Sequence, residues 1–498
     1  MTGVPNLLYI LLDDLGYGDV SCLNPSCGFP TPGMDRIGRE GMVFTDAHSS
    51  SAVCTPSRYS VLTGRYCWRT RLKSHVTRGY APPLIEPGRM TVASLLREHG
   101  YRTGCFGKWH LGWNWPVRPG AAADLSDRTD PDAELIDWSS PVLGGPVDCG
   151  FERFVGISAS LDMPPYVWVN GREVEAAPDG SVEAEQGQRF WRAGPIAPGF
   201  DHAGVAGRII DETASFIRRS VGEGRPFFAY CAHTGPHTPI LPSAAWRGRS
   251  GLNDYADLVL EIDSQVGHLL GLLDELGVAG ETIVVLASDN GCSSAADFPA
   301  LLARGHNPSH VFRGHKADIY EGGHRVPLLV RWPQRIAPGG VCGQTVCLSD
   351  LLATMAEVVQ SPLPEEAGED SVSHWPLWIG GGSGPAVRDF TLHHSIDGSF
   401  SVRAGPWKLE MCPGSGGWSW PRPGPECEGL PPIQLYHLET DIAEKHNVQA
   451  DHPEVVERLT AMLTRAVLDG RTRAGSARAD AQELWRQLWW MQPPASRA

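Results

Sequence analysis

The sequence contains no apolar run that approaches the roughly 20 residues that a membrane-spanning helix needs, which argues against an integral membrane protein. It also has no basic stretch ahead of its first strand-like segment, Asn6–Leu12, where a secretory leader would carry one. We therefore expect a cytoplasmic protein, although a secreted chain from which the leader had been removed would have the same sequence.

Cysteine and positive charge are both scarce. The 498 residues include 12 cysteines, none of them in a C-x-x-C pair, so a disulfide-stapled scaffold is excluded. Lys and Arg total 42 against 57 Asp and Glu, which gives a net charge of −15. Such an acidic chain is not suited to bind nucleic acid or an anionic membrane. An anionic substrate must then be attracted by cations local to its site.

What the sequence does contain is an alternation of short apolar strands with helical segments. The strand-like runs are Asn6–Leu12, Met42–Ala47, Tyr101–Phe106, Pro226–Ala232, Thr282–Ser288 and Val326–Trp332, and the clearest helices are Val92–His99 and Asp254–Leu276. Runs that are apolar on both faces are typical of parallel sheets covered by helices. The sequence thus predicts an α/β fold, with a mostly parallel (mixed) central sheet sandwiched by helices.

Two segments interrupt this alternation. Residues 111–200 are rich in Pro, Gly, Trp and acidic residues, so we expect long loops that build substrate specificity over an edge of the sheet. Ser361–Pro385 is rich in Pro, Gly and Ser, which is typical of a domain junction. We expect a catalytic domain over residues 1–375 and a smaller C-terminal α+β domain over residues 376–498.

The smaller domain is predicted to combine antiparallel strands with helices. Its strand-like pieces are Phe390–His394, Phe400–Arg403 and Trp407–Met411, and its helices are Pro453–Leu468 and Ala481–Trp490. Asp480 stands where it can cap the second of these helices.

A short stretch beginning at Cys54 (CTPSR) combines a nucleophile-type residue with an anion site. Pro56 suits the first turn of a helix, so the stretch predicts a helix start at which free backbone N–H groups attract an anion. Arg58 adds a forked cation that suits sulfate or phosphate oxygens. Taken alone, Cys54 could equally be a buried structural cysteine beside a helix cap.

Polar residues cluster after the ends of the predicted strands, where open α/β sheets bind their ligands. These residues are Asp13, Asp14, Cys54, Arg58, Lys108, His110, His237, Asp289, Asn290 and Lys316. The three aspartates and the asparagine are hard oxygen donors, which favour Ca²⁺ or Mg²⁺ over zinc. Lysine and arginine beside a cation are compatible with a multiply charged anion between them, and two histidines can supply acid and base.

Six separated motifs in order now give a specific resemblance. They are LLDDLGYGD (11–19), CTPSR with LTGR (54–65), GYRTGCFGKWHLG (100–112), PHTP (236–239), SDNG (288–291) and HKADIYEGGHRVPLLVRWP (315–333), followed by LYHLETDIAEKHNV (435–448). From near its start to about Val448, the chain resembles the type I (formylglycine-dependent), arylsulfatase-like sulfatases of the alkaline phosphatase-like superfamily. The resemblance implies the alkaline phosphatase/sulfatase-like version of the α/β fold.

The resemblance also implies a role for each matching position. The metal, Ca²⁺ or alternatively Mg²⁺, is expected on Asp13, Asp14, Asp289 and Asn290 together with residue 54. Arg58 is expected to hold the site together, Lys108 and Lys316 to bind sulfate oxygens, and His237 with Lys316 to assist the leaving oxygen. His110 is expected to take a proton from the nucleophile. Ser160, in the looser match GISAS, corresponds to a serine that contacts the substrate sulfate.

In this family Cys54 would be oxidised to formylglycine (3-oxoalanine) by a separate maturation enzyme. One hydroxyl of the hydrated aldehyde attacks sulfur, and deprotonation of the second hydroxyl by His110 then expels sulfate and restores the aldehyde. An ordinary serine or cysteine has no second hydroxyl with which to release sulfate. The expected activity is sulfate monoester hydrolysis of an arylsulfatase type.

Two other functions remain open at this point. A phosphonate or phosphate ester hydrolase of the same fold shares the C-x-P-x-R motif, but that group tends to replace Asp14 by an amide and Asn290 by histidine. A catalytically inactive, carbohydrate-binding relative is the other, and the intact set of site residues argues against it.

The expected substrate is an aryl sulfate or a small sulfated carbohydrate, because the acidic chain shows no extended basic groove for a polyanion. Tryptophans and cations follow two of the motifs and suit sugar faces or aryl rings as well as they suit core packing: Trp68, Arg69, Arg71, Lys73, Trp113 and Trp115. His233 and His315 could contact substrate hydroxyls or have no role in the site.

Overall fold

The computed structural model describes residues 4–478 and 484–492. Its strands are β1 (Asn6–Asp13), β2 (Met42–Phe44), β3 (Ala47–His48), β4 (Arg102–Lys108), β5 (Arg153–Ile157), β6 (Val169–Asn170), β7 (Glu173–Val174), β8 (Gly180–Val182), β9 (Gly194–Ile196), β10 (Phe227–Pro236), β11 (Thr282–Ser288), β12 (Leu328–Arg331), β13 (Gly340–Cys342), β14 (Val346–Cys347), β15 (Thr391–His394), β16 (Phe400–Ala404), β17 (Trp407–Glu410) and β18 (Gln434–His437). Its helices are α1 (Pro32–Arg39), α2 (Cys54–Thr63), α3 (Val92–Glu98), α4 (Val205–Gly222), α5 (Asp254–Glu275), α6 (Phe298–Leu302), α7 (Glu321–His324), α8 (Leu351–Val358), α9 (Trp375–Ile379) and α10 (Pro453–Leu468).

A ten-stranded sheet forms the centre of the molecule, in the order β13-β2-β12-β11-β1-β10-β4-β5-β6-β7. The five neighbours from β11 to β5 run parallel to one another. The strand β12 is antiparallel to both of its neighbours, β11 and β2, and β6 is antiparallel to both β5 and β7. The predicted α/β fold with a mostly parallel, mixed sheet is therefore confirmed.

The central strands are buried on both faces because helices flank the sheet. Every residue of β1, β10 and β11 is buried. The helix α5 contacts both α1 and α4, and the helices α2, α3 and α8 contact one another. The helix α4 was not predicted from the sequence, although its buried residues Val205, Ile209 and Ile217 follow a helical period.

A separate four-stranded antiparallel sheet, β15-β16-β17-β18, lies towards the C-terminus. The helix α10 packs against β16 and β17 over a second hydrophobic core that includes Leu409, Leu435 and Leu459. The predicted strands and the helix Pro453–Leu468 are confirmed, and β18 is additional. The boundary between residues 375 and 376 stays a prediction.

The predicted helix Ala481–Trp490 is wrong in the part that is described. Only a 3₁₀ turn, Arg486–Met491, is present after non-helical Leu484 and Trp485, and Leu488 anchors it in the second core. Residues 479–483, including the proposed cap Asp480, lie outside the described residues. Packing of the aromatic residues in this turn prevails over the helical pattern of the sequence.

The region that was expected to be loops does consist of long connections with short strands, from β5 to β9. Within residues 4–478 and 484–492, no helix is both long and apolar enough to span a membrane.

Candidate active site

Five adjacent parallel strands deliver polar residues to one edge of the large sheet. In sheet order, Asp289 and Asn290 follow β11, Asp13 and Asp14 lie at the end of β1, His237 follows β10, Lys108 ends β4 just before His110, and Ser160 follows β5. The carboxyl ends of parallel strands share an edge, so predicted site residues that are far apart in the chain become neighbours. Cys54, Arg58 and Lys316 reach this edge from outside the sheet.

Cys54 is the first residue of α2, after an extended Val53, as the sequence predicted for a helix start. Its Sγ atom lies 3.5 Å from Oδ1 of Asp13. The whole helix is buried, and burial raises the pKa of the Cys54 thiol even though Lys108 and Lys316 lie nearby. The unmodified thiol is therefore protonated at neutral pH and is a poor nucleophile.

Arg58 contacts two of the aspartate side chains in the site, Asp289 and Asp13. Its Nε and Nη2 atoms each lie 2.8 Å from Oδ2 of Asp289, and Nη2 is 3.4 Å from Oδ1 of Asp13. The guanidinium is buried, and these carboxylates raise its pKa further despite the opposing effect of burial. Burial together with the Asp13 carboxylate raises the pKa of Asp289 to about 6, against the opposing charge of Arg58.

Lys108 and Lys316 approach the aspartate pair from two sides. Nζ of Lys108 lies 2.9 and 2.8 Å from the two carboxylate oxygens of Asp13, and Nζ of Lys316 lies 2.7 and 2.8 Å from those of Asp14. Burial alone raises the pKa of Asp13, but Lys108 and the other cations around it hold that pKa well below its usual range. Three carboxylates thus face three cations in a buried site.

Asn290 carries an oxygen that is left without a partner. Its Nδ2 atom donates to Oδ1 of Asp14 at 2.7 Å and to the carbonyl of Gly291 at 2.9 Å. Its Oδ1 atom is buried and accepts no hydrogen bond from any described residue. A buried acceptor beside carboxylates, with no donor in reach, fits a position that faces a cation.

The residues around Asn290 could hold a metal ion. Ligand atoms of Asp13, Asp14, Cys54 and His237 all lie within 4.8 Å of one another. Asp289 adjoins this group, since its Oδ1 accepts a hydrogen bond from the Asp14 main-chain N at 3.3 Å. The oxygen-rich donor set fits a hard divalent cation such as Ca²⁺.

Ser160 lies between Lys108 and His237 and contacts both side chains. Ser160 Oγ is 3.2 Å from Nζ of Lys108 and 3.3 Å from Nδ1 of His237. Nδ1 of His237 also lies 2.7 Å from the carbonyl of Thr238, which leaves Nε2 directed towards Asp14 at 3.7 Å. The looser sequence match at Ser160 thus falls beside two other predicted site residues.

His110 is buried and has one unpartnered ring nitrogen. Its Nε2 atom donates to the carbonyl of Thr77 at 2.8 Å, and its Nδ1 atom has no hydrogen-bond partner among the described residues. Burial and the neighbouring charges of Lys108 and Arg58 hold the pKa of His110 well below its usual range. The ring is therefore neutral at neutral pH, and Nδ1 is free to accept a proton.

A cavity of about 1050 Å³ opens over this group, and Cys54, His110, His237 and Lys316 line its floor. Part of its wall comes from the 412–424 loop, which follows β17 in the small sheet. Trp418 of that loop is 43% exposed and lines the cavity. The loop is fixed to the segment that carries Lys316, because Oδ1 of Asp318 accepts from the main-chain N of Trp418 at 2.7 Å.

The tryptophans that the sequence analysis considered for sugar or aryl binding are core residues. Trp68, Trp113 and Trp115 are buried. The nearby cations are occupied as well: Arg69 pairs with Asp370, Arg71 with Asp127, and Lys73 lies over the Trp485 ring. Burial depends on tertiary neighbours, which local spacing does not reveal.

The two extra histidines lie apart from the floor of the cavity. His233 is buried and bonds to Gln265, and His315 is half-buried beside Asp318. Among the residues that line the cavity but were not predicted from the sequence are Asp162, Arg192 and Trp418. For Trp418, the sequence signal was the pair of glycines that precedes it in GGWSW (416–420), which is typical of a loop.

Comparisons with known proteins identify the family of this chain. The N-acetylgalactosamine-6-O-sulfatase of Bacteroides thetaiotaomicron is 31% identical over 499 residues, covering 92% of this chain and 92% of its own. Arylsulfatase A of Homo sapiens is 31% identical over 506 residues, covering 95% of this chain and 89% of its own. A structure solved in work on glycosaminoglycan metabolism by Bacteroides thetaiotaomicron has a TM-score of 0.80 at 28% identity, covering 93% of this chain and 99% of that one. Because the sequence model of the sulfatase family also matches residues 5–361, the chain belongs to the sulfatase family and is a sulfuric ester hydrolase.

Proposed function

We propose that this protein hydrolyses sulfate monoesters of a small carbohydrate or aryl alcohol, with Cys54 converted to formylglycine and with a Ca²⁺ ion. The observation that carries the proposal is the position of Cys54, at the start of a buried helix with its Sγ atom 3.5 Å from Oδ1 of Asp13. Lys108 and Lys316 flank it with two buried positive charges. This arrangement suits an oxyanion that carries charge on several oxygens at once.

Asp13, Asp14, Asp289 and Asn290 would hold the Ca²⁺ ion, together with an oxygen of the modified residue 54. When bound, the ion would supply positive charge next to the sulfate oxygens. Mg²⁺ is the alternative for the same oxygen donors. Arg58 would hold the side chains of Asp13 and Asp289 in position by contacting both carboxylates.

Lys108, Ser160 and Lys316 would bind sulfate oxygens and orient the ester over residue 54. The contact of Ser160 with both Lys108 and His237 supports one shared pocket. His237, with Nδ1 committed to the Thr238 carbonyl, would present Nε2 to the leaving oxygen together with Lys316. His110 would accept the proton that must leave residue 54 before sulfate departs.

The test is mass spectrometry of the Cys54 peptide beside an assay panel of sulfate esters, phosphate diesters and phosphonates with calcium present. Formylglycine lowers the residue mass by roughly 18 Da relative to cysteine. We expect the modified peptide, and faster turnover of sulfate monoesters than of any phosphorus ester. Phosphodiester turnover far above sulfate turnover would identify the protein as a phosphonate or phosphate ester hydrolase. Unmodified Cys54 from a host with the maturation enzyme, without turnover, would support a carbohydrate-binding function.

Calcium should raise the melting temperature of the protein, and Asn290→Ala should remove this effect. The reason is that Asn290 Oδ1 is a buried acceptor with no described partner. At 100 times its Kd, a ligand that binds only the folded state stabilises it by about 2.7 kcal/mol. Thermal unfolding with calcium and with EDTA measures the effect, and titration calorimetry measures binding directly. The exposed Asn114→Ala is the control, and an equal calcium response in Asn290→Ala would contradict the assignment.

Replacing His110 by Asn should slow turnover after the ester bond has broken. Asparagine tolerates the positive φ of 59° at this position, but it cannot take up a proton at neutral pH. We expect a rapid release of one equivalent of 4-nitrophenol per enzyme, followed by a steady rate about 100-fold below the wild type. Stopped-flow absorbance resolves the two phases.

The matched control for this variant is His233→Asn, which changes a buried histidine that is bonded to Gln265. It should show no separate rapid phase. If His110→Asn slows the first turnover as much as the later ones, His110 acts before the ester bond breaks.

A further inference from the structure

Two charged residues on the cavity wall have no part in the sulfate chemistry described above. Asp162, two residues beyond Ser160, forms an ion pair with Nη1 of Arg192. Both residues line the cavity above Cys54. Asp162 is only 3% exposed, whereas the Arg192 side chain is partly open to the cavity.

The pair is held in one position by main-chain contacts. The main-chain N of Arg192 donates to the Asp162 carbonyl at 3.0 Å. The hydroxyl of Tyr166 donates its one proton to the Arg192 carbonyl at 2.6 Å, and the same oxygen lies 3.1 Å from the Asp162 carbonyl. The carboxylate and the guanidinium are therefore preorganised, as a recognition element needs to be.

One oxygen of Asp162 remains without a partner. Arg192 occupies Oδ2, whereas Oδ1 is buried and accepts no hydrogen bond from any described residue. Burial alone raises the pKa of Asp162, but the nearby charges of His237 and Arg192 lower it, so the carboxylate is ionised at neutral pH. An ionised, buried acceptor in a substrate cavity calls for a donor from the substrate.

The charge of Asp162 limits which donors are possible. A carboxylate beside a pocket for an anion repels the sulfate group, so its presence weakens binding unless the substrate compensates for it. A hydroxyl group on the alcohol part of the ester can do so by donating to Oδ1. The side chain of Gln188, on the same cavity, also has an unpartnered Nε2 donor, which suits a second oxygen of such a substrate.

We propose that Asp162 and Arg192 select esters whose alcohol is a sugar, with Asp162 accepting from a free hydroxyl near the sulfated carbon and Arg192 donating to a neighbouring sugar oxygen. This inference rests on the proposed sulfatase function and narrows its substrate to sulfated pyranosides. Simple aryl and steryl sulfates have no hydroxyl group beside the ester that could donate to Asp162. For these substrates Asp162 contributes only electrostatic repulsion of the sulfate group. Asp162 and Arg192 are specificity residues and take no part in bond breaking.

The test measures kcat/KM on two substrates in parallel, 4-nitrophenyl sulfate and the best of a panel of hexose and N-acetylhexosamine monosulfates. For Asp162→Asn we expect a fall of about 10- to 100-fold on the sugar sulfate, the usual cost of losing a hydrogen bond to a charged group. On 4-nitrophenyl sulfate the same variant should gain activity, because the repulsive charge is gone. Arg192→Gln is the second variant and should lose activity on the sugar sulfate.

Deoxy analogues of the sugar sulfate identify the hydroxyl. One deoxy sugar should be a poor substrate for the wild type, and Asp162→Asn should treat it and the parent sugar alike. The control is Glu175→Gln, which breaks an ion pair with Arg208 outside this cavity and should change neither activity. Thermal unfolding of each variant verifies that it is folded.

The outcomes separate the two proposals. A wild type that cleaves no sulfate ester overturns the proposed function itself. A wild type that cleaves sulfate esters, with Asp162→Asn and Arg192→Gln losing activity equally on sugar and aryl substrates, overturns only the sugar-selecting role. No loss on the sugar sulfate in either variant overturns it as well.

Discussion

Cys54→Ala is expected to lower kcat for 4-nitrophenyl sulfate by at least about 10⁴-fold, because it removes the only atom from which the proposed nucleophile can be made. The protonated state of the buried thiol means that the unmodified residue contributes little by itself. Cys54→Ser restores a single hydroxyl but not the pair on a hydrated aldehyde. It should release at most one equivalent of 4-nitrophenol, because a single hydroxyl has no means of expelling sulfate.

The matched control for Cys54 is Cys67→Ala. Cys67 is also buried, lies close to α2 in the chain, and does not line the cavity. Both alanine variants leave a small internal space and should lose similar stability, and only Cys54→Ala should lose activity. Substantial turnover by purified Cys54→Ala would show that the nucleophile lies elsewhere.

Asp13→Asn is expected to lower activity by about 10³-fold or more and also to destabilise the protein. Asp13 contacts Lys108 through both carboxylate oxygens and lies 3.4 Å from Arg58 and 3.5 Å from Cys54. Removing its charge leaves the buried Lys108 ammonium without a counter-ion, at a cost of about 3–5 kcal/mol. The variant should also lose the calcium-dependent rise in melting temperature.

Asp370→Asn separates the two effects of Asp13→Asn. Asp370 is a buried carboxylate that binds Arg69 at 2.8 Å through both oxygens and does not line the cavity. It should lose comparable stability, yet keep its activity at a temperature where it is folded and keep its calcium response. An Asp13→Asn variant that still gains stability from calcium would contradict the assignment of Asp13 as a ligand.

The residues on the sheet edge were predictable because two kinds of evidence indicate the same positions. One is the polar residue at the end of each apolar strand, and the other is the order of the sequence motifs. The apolar run of β1 ends at Asp13, and the run of β11 ends just before Asp289. Parallel pairing of these strands then fixes their carboxyl ends side by side, whatever their separation in the chain. Cys54 was predictable for a different reason, since a proline near a helix start and a nearby arginine define an anion site locally.

The cavity wall was not predictable in the same way. Asp162 and Arg192 come together through main-chain hydrogen bonds between irregular segments, which have no hydrophobic period to reveal them. The buried Trp113 and the exposed Trp418 are both tryptophans in Gly- and Pro-rich surroundings, and only their tertiary neighbours distinguish them. For the predicted helix Ala481–Trp490, the spacing of Leu484 and Leu488 was helical, but a 3₁₀ turn is formed instead.

The attachment of the 412–424 loop to the Lys316 segment has a consequence for how proteins of this kind diversify. The groups proposed to cleave sulfate esters lie on or near the large sheet, whereas Trp418 comes from a loop of the small one. Ser415 and Trp418 contribute main-chain atoms to these contacts, with the Ile319 main-chain N and the Asp318 carboxylate as their partners. The side chains at positions 415 and 418 can therefore change while Asp318 is kept. Mutation at these two positions can therefore remodel this wall of the cavity while the residues proposed to cleave the ester stay unchanged, so a new specificity can arise without loss of the activity.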